Sequence, residues 1–388
     1  MPCRHLWLLV VAICPAPIVN MAPADDTAAP GLAKIAPRMR EFVDAKQISG
    51  AVTLVAHKGQ VVRLEAVGEA DIASHRPMMK DSVFAIASMT KPITATAVMI
   101  LQDEGKLSVD DPVSKYIPQF HDAHLADRKP RREITIRDLM THTSGLTGDQ
   151  GVKGSLEKTA VEMAQRVLAF EPGSKWQYSP GLTVCGRVIE VASGEAYHEF
   201  LAKRIFVPLK MAETTFDPTP EQRQRLAVLY KPGSDKTSIE PASPQLVGSG
   251  APTFGPSGGL FSTAADMARF YQMILNGGEL DGKRIVSKQA VHQMTTVQTG
   301  DLVTGFTPGN GWGLGWCVVR EPQGVSKMLW PGTFGHGGAW GTQGWVDPKR
   351  ETIYVLMIQR RDFGNSDGAE IRGAFQQVAA DALFGRAE

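Results

Sequence analysis

Strand-forming residues gather at the two ends of this chain and are scarce in its middle. After Gly50, the segment Ala51–His57 is apolar and rich in β-formers. Lys58-Gly59-Gln60 supplies a turn, and Val61–Gly68 continues as a second strand. Near the other end, Gly313–Arg320, Gln343–Asp347 and Thr352–Gln359 have the same character, the last two flanking a Pro348-Lys349-Arg350 turn. An isolated hairpin is at best marginally stable in water, so the two ends are expected to complete one sheet. Strands that arrive as hairpins make that sheet largely antiparallel. An amphipathic helix over 34–47 and a closing helix from about Gly368 to Phe384 are expected to cover one face. The intervening sequence is mostly helix and loop. The expected architecture is therefore α+β, with a sheet lobe at about 34–87 and 305–386 and a large, mainly helical lobe inserted at about 88–304. A ligand cleft is expected at their seam.

The first residues stand apart. Arg4 precedes an apolar run, Leu6 to Cys14, and Ala22-Pro23-Ala24 offers an A-x-A cleavage site. Residues 1–24 read as a secretory signal peptide, with a flexible segment over 25–33 and a periplasmic or secreted product. The run is too short to span a bilayer as a helix. A start at Met21 would instead give a cytoplasmic protein, and lipid anchoring at Cys14 is disfavoured by the preceding Val11-Ala12-Ile13. Removal of the leader leaves Cys185 and Cys317, both in apolar segments and expected as buried thiols. A formal net charge of +1 argues against electrostatic capture of nucleic acid or an anionic membrane. No cofactor or metal is expected. His121-Asp122-Ala123-His124 lies in a polar loop and lacks the glutamate of a metalloprotease helix. Oligomeric state is not legible.

Ser88-Met89-Thr90-Lys91 is the candidate reactive motif. A helix is expected from Ser88 to about Glu104, stopped by Gly105. Three-residue spacing sets Lys91 one turn from Ser88 on the same face. A serine hydroxyl is a weak nucleophile until a base takes its proton, and a desolvated lysine can be that base. The helix N-terminus favours negative charge at the serine. Spacing alone is weak support, since roughly one or two S-x-x-K matches arise by chance in a chain of this length. Ser155-Leu156-Glu157-Lys158 is one, in a polar segment without a burying helix. A second serine, in Gly255-Pro256-Ser257-Gly258-Gly259, matches G-x-S-x-G. That motif needs a buried strand before it and a helix directly after. Ala251–Phe254 is a poor strand and the next helix is expected only from an N-cap near Ser262, so Ser257 reads as a loop residue near the cleft.

Val83-Phe84-Ala85-Ile86-Ala87-Ser88-Met89-Thr90-Lys91-Pro92 resembles the β-lactamase-related serine hydrolases: class C β-lactamases, penicillin-binding DD-peptidases and family VIII esterases. Companion segments follow in that superfamily's order. They are Gly105–Val113, Ile136–Leu146 with its His142-Thr143-Ser144-Gly145, Tyr178-Ser179-Pro180-Gly181-Leu182, Ser257–Met267 and His336-Gly337-Gly338. The resemblance spans about residues 35–385. It implies a catalytic role for Tyr178, whose phenol would relay a proton with its pKa lowered by Lys91. It implies an oxyanion hole from the backbone N–H groups of Ser88 and Ala339. His336, Gly337, Gly338, Pro180 and Trp340 would line the substrate site, the glycines letting substrate approach the strand closely. His142 reads as structural.

Two departures bear on substrate. Pro180 stands where class C enzymes usually carry asparagine, and His336 where K-T-G carries lysine. A proline offers no side-chain amide, and a histidine near its reference pKa of about 6.5 is mostly neutral at pH 7. Both weaken recognition of β-lactams and D-Ala-D-Ala peptides without touching the acylation machinery. An esterase or acyltransferase on small acyl esters, working through an acyl-enzyme, is the leading expectation, with a small acyl ester or amide as the partner molecule. A β-lactamase or D-Ala-D-Ala peptidase stays open, as does a silent cell-wall-binding protein. Whether Lys91 or Tyr178 is the immediate base is also open at this stage.

Overall fold

The structure is a computed structural model that describes residues 29–235, 237–242, 254–363 and 366–385. The stretch over 1–24 expected to be a leader, with its expected cleavage site, lies outside the described residues. The end of the segment expected to be flexible, 25–33, runs into a 3-10 helix, Pro30–Lys34, with Leu32 buried and Gly31 close against Ala382. That contact holds the entry of the chain to its closing helix.

Helix α1 (Ile35–Asp44) leads into strand β1 (Gly50–His57) and its hairpin partner β2 (Gln60–Asp71), followed by the short β3 (Arg76–Pro77). Strand β4 (Phe84–Ala85) and a 3-10 turn, Ala87–Met89, precede α2 (Thr90–Asp103). Three further helices matter for the site: α3 (Ile136–Thr141), α4 (Leu156–Ala164) and α5 (Gly181–Ser193). Strand β5 (Phe261–Ser262) and α6 (Ala264–Leu275) come next. The chain returns to the sheet with β6 (Asn310–Trp312), β7 (Cys317–Val319), β8 (Phe334–Gly337), β9 (Gln343–Asp347) and β10 (Thr352–Met357), and ends in α7 (Glu370–Phe384).

Eight strands form one sheet in the order β6-β7-β8-β9-β10-β1-β2-β3, every neighbouring pair antiparallel. The two chain ends meet where Val52 pairs with Met357 and His57 with Thr352. Gly313–Arg320 is not one strand: residues 313–316 reverse the chain between β6 and β7. Gly315 sits at φ +79°, and a Cβ there would press on the Ala95 side chain of α2. The bend is therefore glycine-dependent and sets the sheet edge against the central helix.

α1 and α7 cover one face, where Met39, Phe42, Ile371 and Phe375 pack with Val55, Trp345, Tyr354 and Leu356. The other face is continuous with the inserted lobe: Val52, Leu54, Val355 and Met357 share a core with residues of α2, α5 and α6. α6 falls within the stretch assigned from sequence to the helical lobe, yet it lies on the sheet, with the Tyr271 ring directly over Gly344. Its N-cap is Thr263, whose side chain accepts from the Asp266 N–H, because Ser262 is taken into β5. α2 is buried on every face from Thr90 to Leu101, as a helix running through the middle of a core must be. Cys185 and Cys317 are free, buried thiols. No helix among the described residues is long and apolar enough to cross a membrane.

Candidate active site

The reactive turn is suspended between three elements. β4 pairs with β5, Phe84 opposite Ser262 and Ala85 opposite Phe261. The Ile86 N–H donates to Leu260 O, and the Thr342 hydroxyl donates to Ile86 O at 3.1 Å. The Thr90 hydroxyl donates to Ala87 O at 2.7 Å. Ala87 is held at φ +45° within this clamp. An L-residue in the left-handed region costs on the order of 1 kcal/mol. Ser88 thus sits in a 3-10 turn just ahead of α2, not on the regular helix the sequence suggested, and its residue remains partly accessible.

Lys91 is fully buried, and its Nζ donates to Ser88 Oγ at 3.1 Å, Gln150 Oε1 at 3.0 Å and Ser257 O at 2.7 Å. It also lies 4.8 Å from the centre of the Tyr178 ring. Burial brings its pKa down to about 7, so near neutrality a large fraction is the free amine.

Tyr178 lies at the N-terminal approach to α5. Its hydroxyl is buried without a hydrogen-bond partner at ordinary geometry. Burial pushes its pKa strongly up and the Asp367 carboxyl adds to this, while nearby Ser88 opposes part of it. The expectation that Lys91 depresses it is not met, because desolvation of the phenolate outweighs a lysine that is itself half neutral. The phenol stays protonated at neutral pH.

An aromatic wall surrounds that phenol. His142 lies 4.5 Å from the Tyr178 ring centre, Phe306 5.0 Å, His336 6.0 Å and Trp312 6.1 Å, with Trp176 at 6.4 Å. The two histidines are locked in opposite tautomers. His142 Nδ1 accepts the Ser179 N–H at 3.1 Å, so its proton belongs on Nε2. His336 Nδ1 lies 2.7 Å from Gly337 O and must donate, leaving Nε2 as a bare acceptor. Both Nε2 atoms are buried without partners. Burial, with Lys91 adding to it, takes His336 down to about 3 and His142 well below its ordinary value.

The other residues assigned to the site from the sequence lie around this centre. Pro180 is buried as the N-cap of α5, and its carbonyl accepts the Thr183 N–H. Gly337 and Gly338 are buried, and protein fills the space their missing side chains leave. Asp367 lies over Gly337, and Thr342 and Ile86 O lie over Gly338. The glycines thus admit the protein's own neighbours, which brings β8 against the reactive turn. Ala339 is exposed, and its N–H donates to no described group. Trp340 is half-buried against Val83, Ala85 and Phe261.

Ser257 is buried, its hydroxyl paired with Thr183 Oγ1 at 2.7 Å and its carbonyl bound to Lys91. Among the described residues no helix follows it directly, so it lacks the nucleophile-elbow setting. Ser155 caps α4 through the Lys158 N–H, away from the site. His121 is exposed beside Glu133, and no cluster of metal-binding side chains occurs among the described residues. Sequence reasoning missed Gln150, the Ser257 carbonyl and the wall of Trp176, Phe306 and Trp312. Their roles depend on where loops meet, and no local motif marks them.

The chain is similar to known proteins over most of its length. The Beta-lactamase family model matches residues 35–379. Esterase EstB of Burkholderia gladioli is 30% identical over 361 residues, covering 83% of this chain and 88% of EstB. Penicillin-binding protein 4 of Amycolatopsis lactamdurans is 35% identical over 271 residues, covering 68% of each chain. EstCE1, described as a hydrolase with promiscuous acyltransferase activity, superposes with a TM-score of 0.78 at 26% identity, covering 92% of this chain and 99% of EstCE1. With a family match over most of its length and relatives that are esterases and penicillin-binding proteins, the chain belongs to the Beta-lactamase family of serine hydrolases.

Proposed function

We propose that this enzyme is a carboxylesterase that hydrolyses small acyl esters through an acyl-enzyme on Ser88. The observation that carries the proposal is the buried Lys91 amine, 3.1 Å from Ser88 Oγ with a pKa near 7. Neutral Lys91 takes the Ser88 proton as Oγ bonds to the ester carbonyl carbon. The developing oxyanion is received by the N–H groups of Ser88 and Ala339, a type of contact worth on the order of a hundredfold in rate. Tyr178, kept as a protonated phenol, passes a proton to the departing alkoxide as the acyl C–O bond breaks, and Lys91 restores the phenol. Water then repeats the sequence on the acyl-enzyme.

The choice of an ester over a β-lactam rests on charge. His336 occupies the position that the resemblance assigns to a lysine facing a substrate carboxylate, and here that position holds a buried, neutral ring. Pro180 adds no amide. The names of EstB and EstCE1 support the same reading.

The test is a panel of p-nitrophenyl butyrate, nitrocefin and a D-Ala-D-Ala peptide, run beside fluorophosphonate labelling. Ester turnover is expected to dominate and to fall roughly a thousandfold or more in Ser88→Ala, with labelling lost. Ser257→Ala is expected to keep its labelling. Nitrocefin turnover above ester turnover would reject the esterase assignment.

A further inference from the structure

The three oxygens around Lys91 Nζ are not chemically equivalent. Ser257 O at 2.7 Å and Gln150 Oε1 at 3.0 Å can only accept, whereas Ser88 Oγ at 3.1 Å can accept or donate. An ammonium has three N–H bonds and would donate to all three, leaving Ser88 an acceptor. A neutral amine has two N–H bonds and one lone pair. The two obligate acceptors take the N–H bonds, and the lone pair is left facing Ser88, the one of these three partners with a proton to give.

We propose that Gln150 is a positioning residue for the general base, which with the Ser257 carbonyl holds both N–H bonds of neutral Lys91 and turns its lone pair onto the Ser88 hydroxyl. The inference rests on the proposed esterase mechanism. Gln150 arrives on the loop after the His142-Thr143-Ser144-Gly145 turn, and that loop is tied down. Gln150 O accepts from Thr183 Oγ1 at 2.8 Å, and Arg166 Nη1 donates to Thr147 O at 2.8 Å and to Asp149 O at 3.0 Å. Thr183 Oγ1 also meets Ser257 Oγ at 2.7 Å, so one threonine of α5 braces both acceptors of the lysine. Pro180 brings no amide from the Tyr178 side. Gln150 is the side-chain amide that reaches Lys91 among the described residues.

The titratable groups facing Lys91 are few. Tyr178 presents its ring, and His142 and His336 are kept neutral by burial. Asp367 lies beyond them, over Gly337, and none of the three hydrogen-bond partners of Lys91 is a carboxylate. A charge introduced at Gln150 would therefore act on Lys91 without a competing anion in contact.

The experiment measures kcat and kcat/KM for p-nitrophenyl butyrate from about pH 5 to about pH 9. It uses wild type, Gln150→Glu, Gln150→Ala and Ser88→Ala, with a thermal melt of each. Gln150→Glu keeps the shape of the side chain and places an anion on the amine. Its acid limb is expected to move up by about one pH unit or more. Gln150→Ala is expected to lower the plateau kcat about tenfold or more, with KM within about threefold and the acid limb at or below that of wild type. A wild-type acid limb in folded Gln150→Glu, or a plateau kcat within about twofold of wild type in Gln150→Ala, would overturn the inference. Wild-type behaviour in both variants together with an inactive Ser88→Ala rejects this inference alone. Ester turnover that survives Ser88→Ala rejects the mechanism beneath it.

Discussion

A lysine removed from water can pair with a carboxylate or surrender its proton. Lys91 has only neutral hydrogen-bond partners, and its pKa of about 7 follows from burial. Two consequences can be measured. The first is kinetic: kcat/KM for an ester should rise with pH along an acid limb centred near 7 and then level, because the phenol of Tyr178 stays protonated. The second is a stability linkage. Between pH 7 and 9 an unfolded lysine near 10.5 keeps its proton while the folded one loses it, so the unfolded state binds more protons and stability rises with pH. Urea unfolding should show wild type gaining on the order of 2 kcal/mol relative to Lys91→Met over that interval. A flat difference between the two proteins would remove the depressed pKa from the account. S-x-x-K was legible in the chain, whereas the neutrality that makes it reactive depends on neighbours up to 166 residues away.

The short elements around Ser88 do the positioning. β4 and β5 are two residues each, too short to stand alone, and they persist because Thr342 and Gln359 reach across from the sheet. Gln359 Nε2 donates to Ala85 O at 3.0 Å, one residue before the carbonyl that Thr342 holds. Thr342→Val removes one donor while nearly keeping shape. Ile86 O retains the Met89 N–H, so the expected cost is about 1 kcal/mol by denaturant titration. A fall in kcat with little change in KM is expected beside it, since the lost bond orients the nucleophile and does not touch substrate. The hairpin strands and terminal helices were legible from periodicity and turn residues. β4, β5 and the split of Gly313–Arg320 into β6 and β7 were not, because two- and three-residue strands carry no period to detect.

One sheet closed from both chain ends makes the site a property of the whole molecule. The helices α1 and α7 cover one face of the sheet and share an apolar cluster with the Tyr178 ring, α2 with Lys91 packs on the other face, and the nucleophile turn leans on the far end of β8. Phe375 of α7 is buried there against Tyr354. Phe375→Ala should cost about 3–5 kcal/mol of stability. At a temperature where the variant is still folded, kcat per active site, counted by fluorophosphonate titration, should match wild type. A parallel loss of kcat would show that the outer layer also tunes the site.

The chain alone determined the sheet closed from its two ends, the inserted helices and the choice of Ser88, Lys91 and Tyr178 as candidates. Those depend on local spacing, hairpin turns and the order of short motifs. The tertiary structure decided the state of the groups: a lysine near 7, a phenol pushed up, two histidines neutral in opposite tautomers and glycines filled by protein. It also brought in Gln150 and the Ser257 carbonyl. Proton affinity and hydrogen-bond direction are set by burial and by groups distant in sequence, and neither quantity exists until the chain has closed around them.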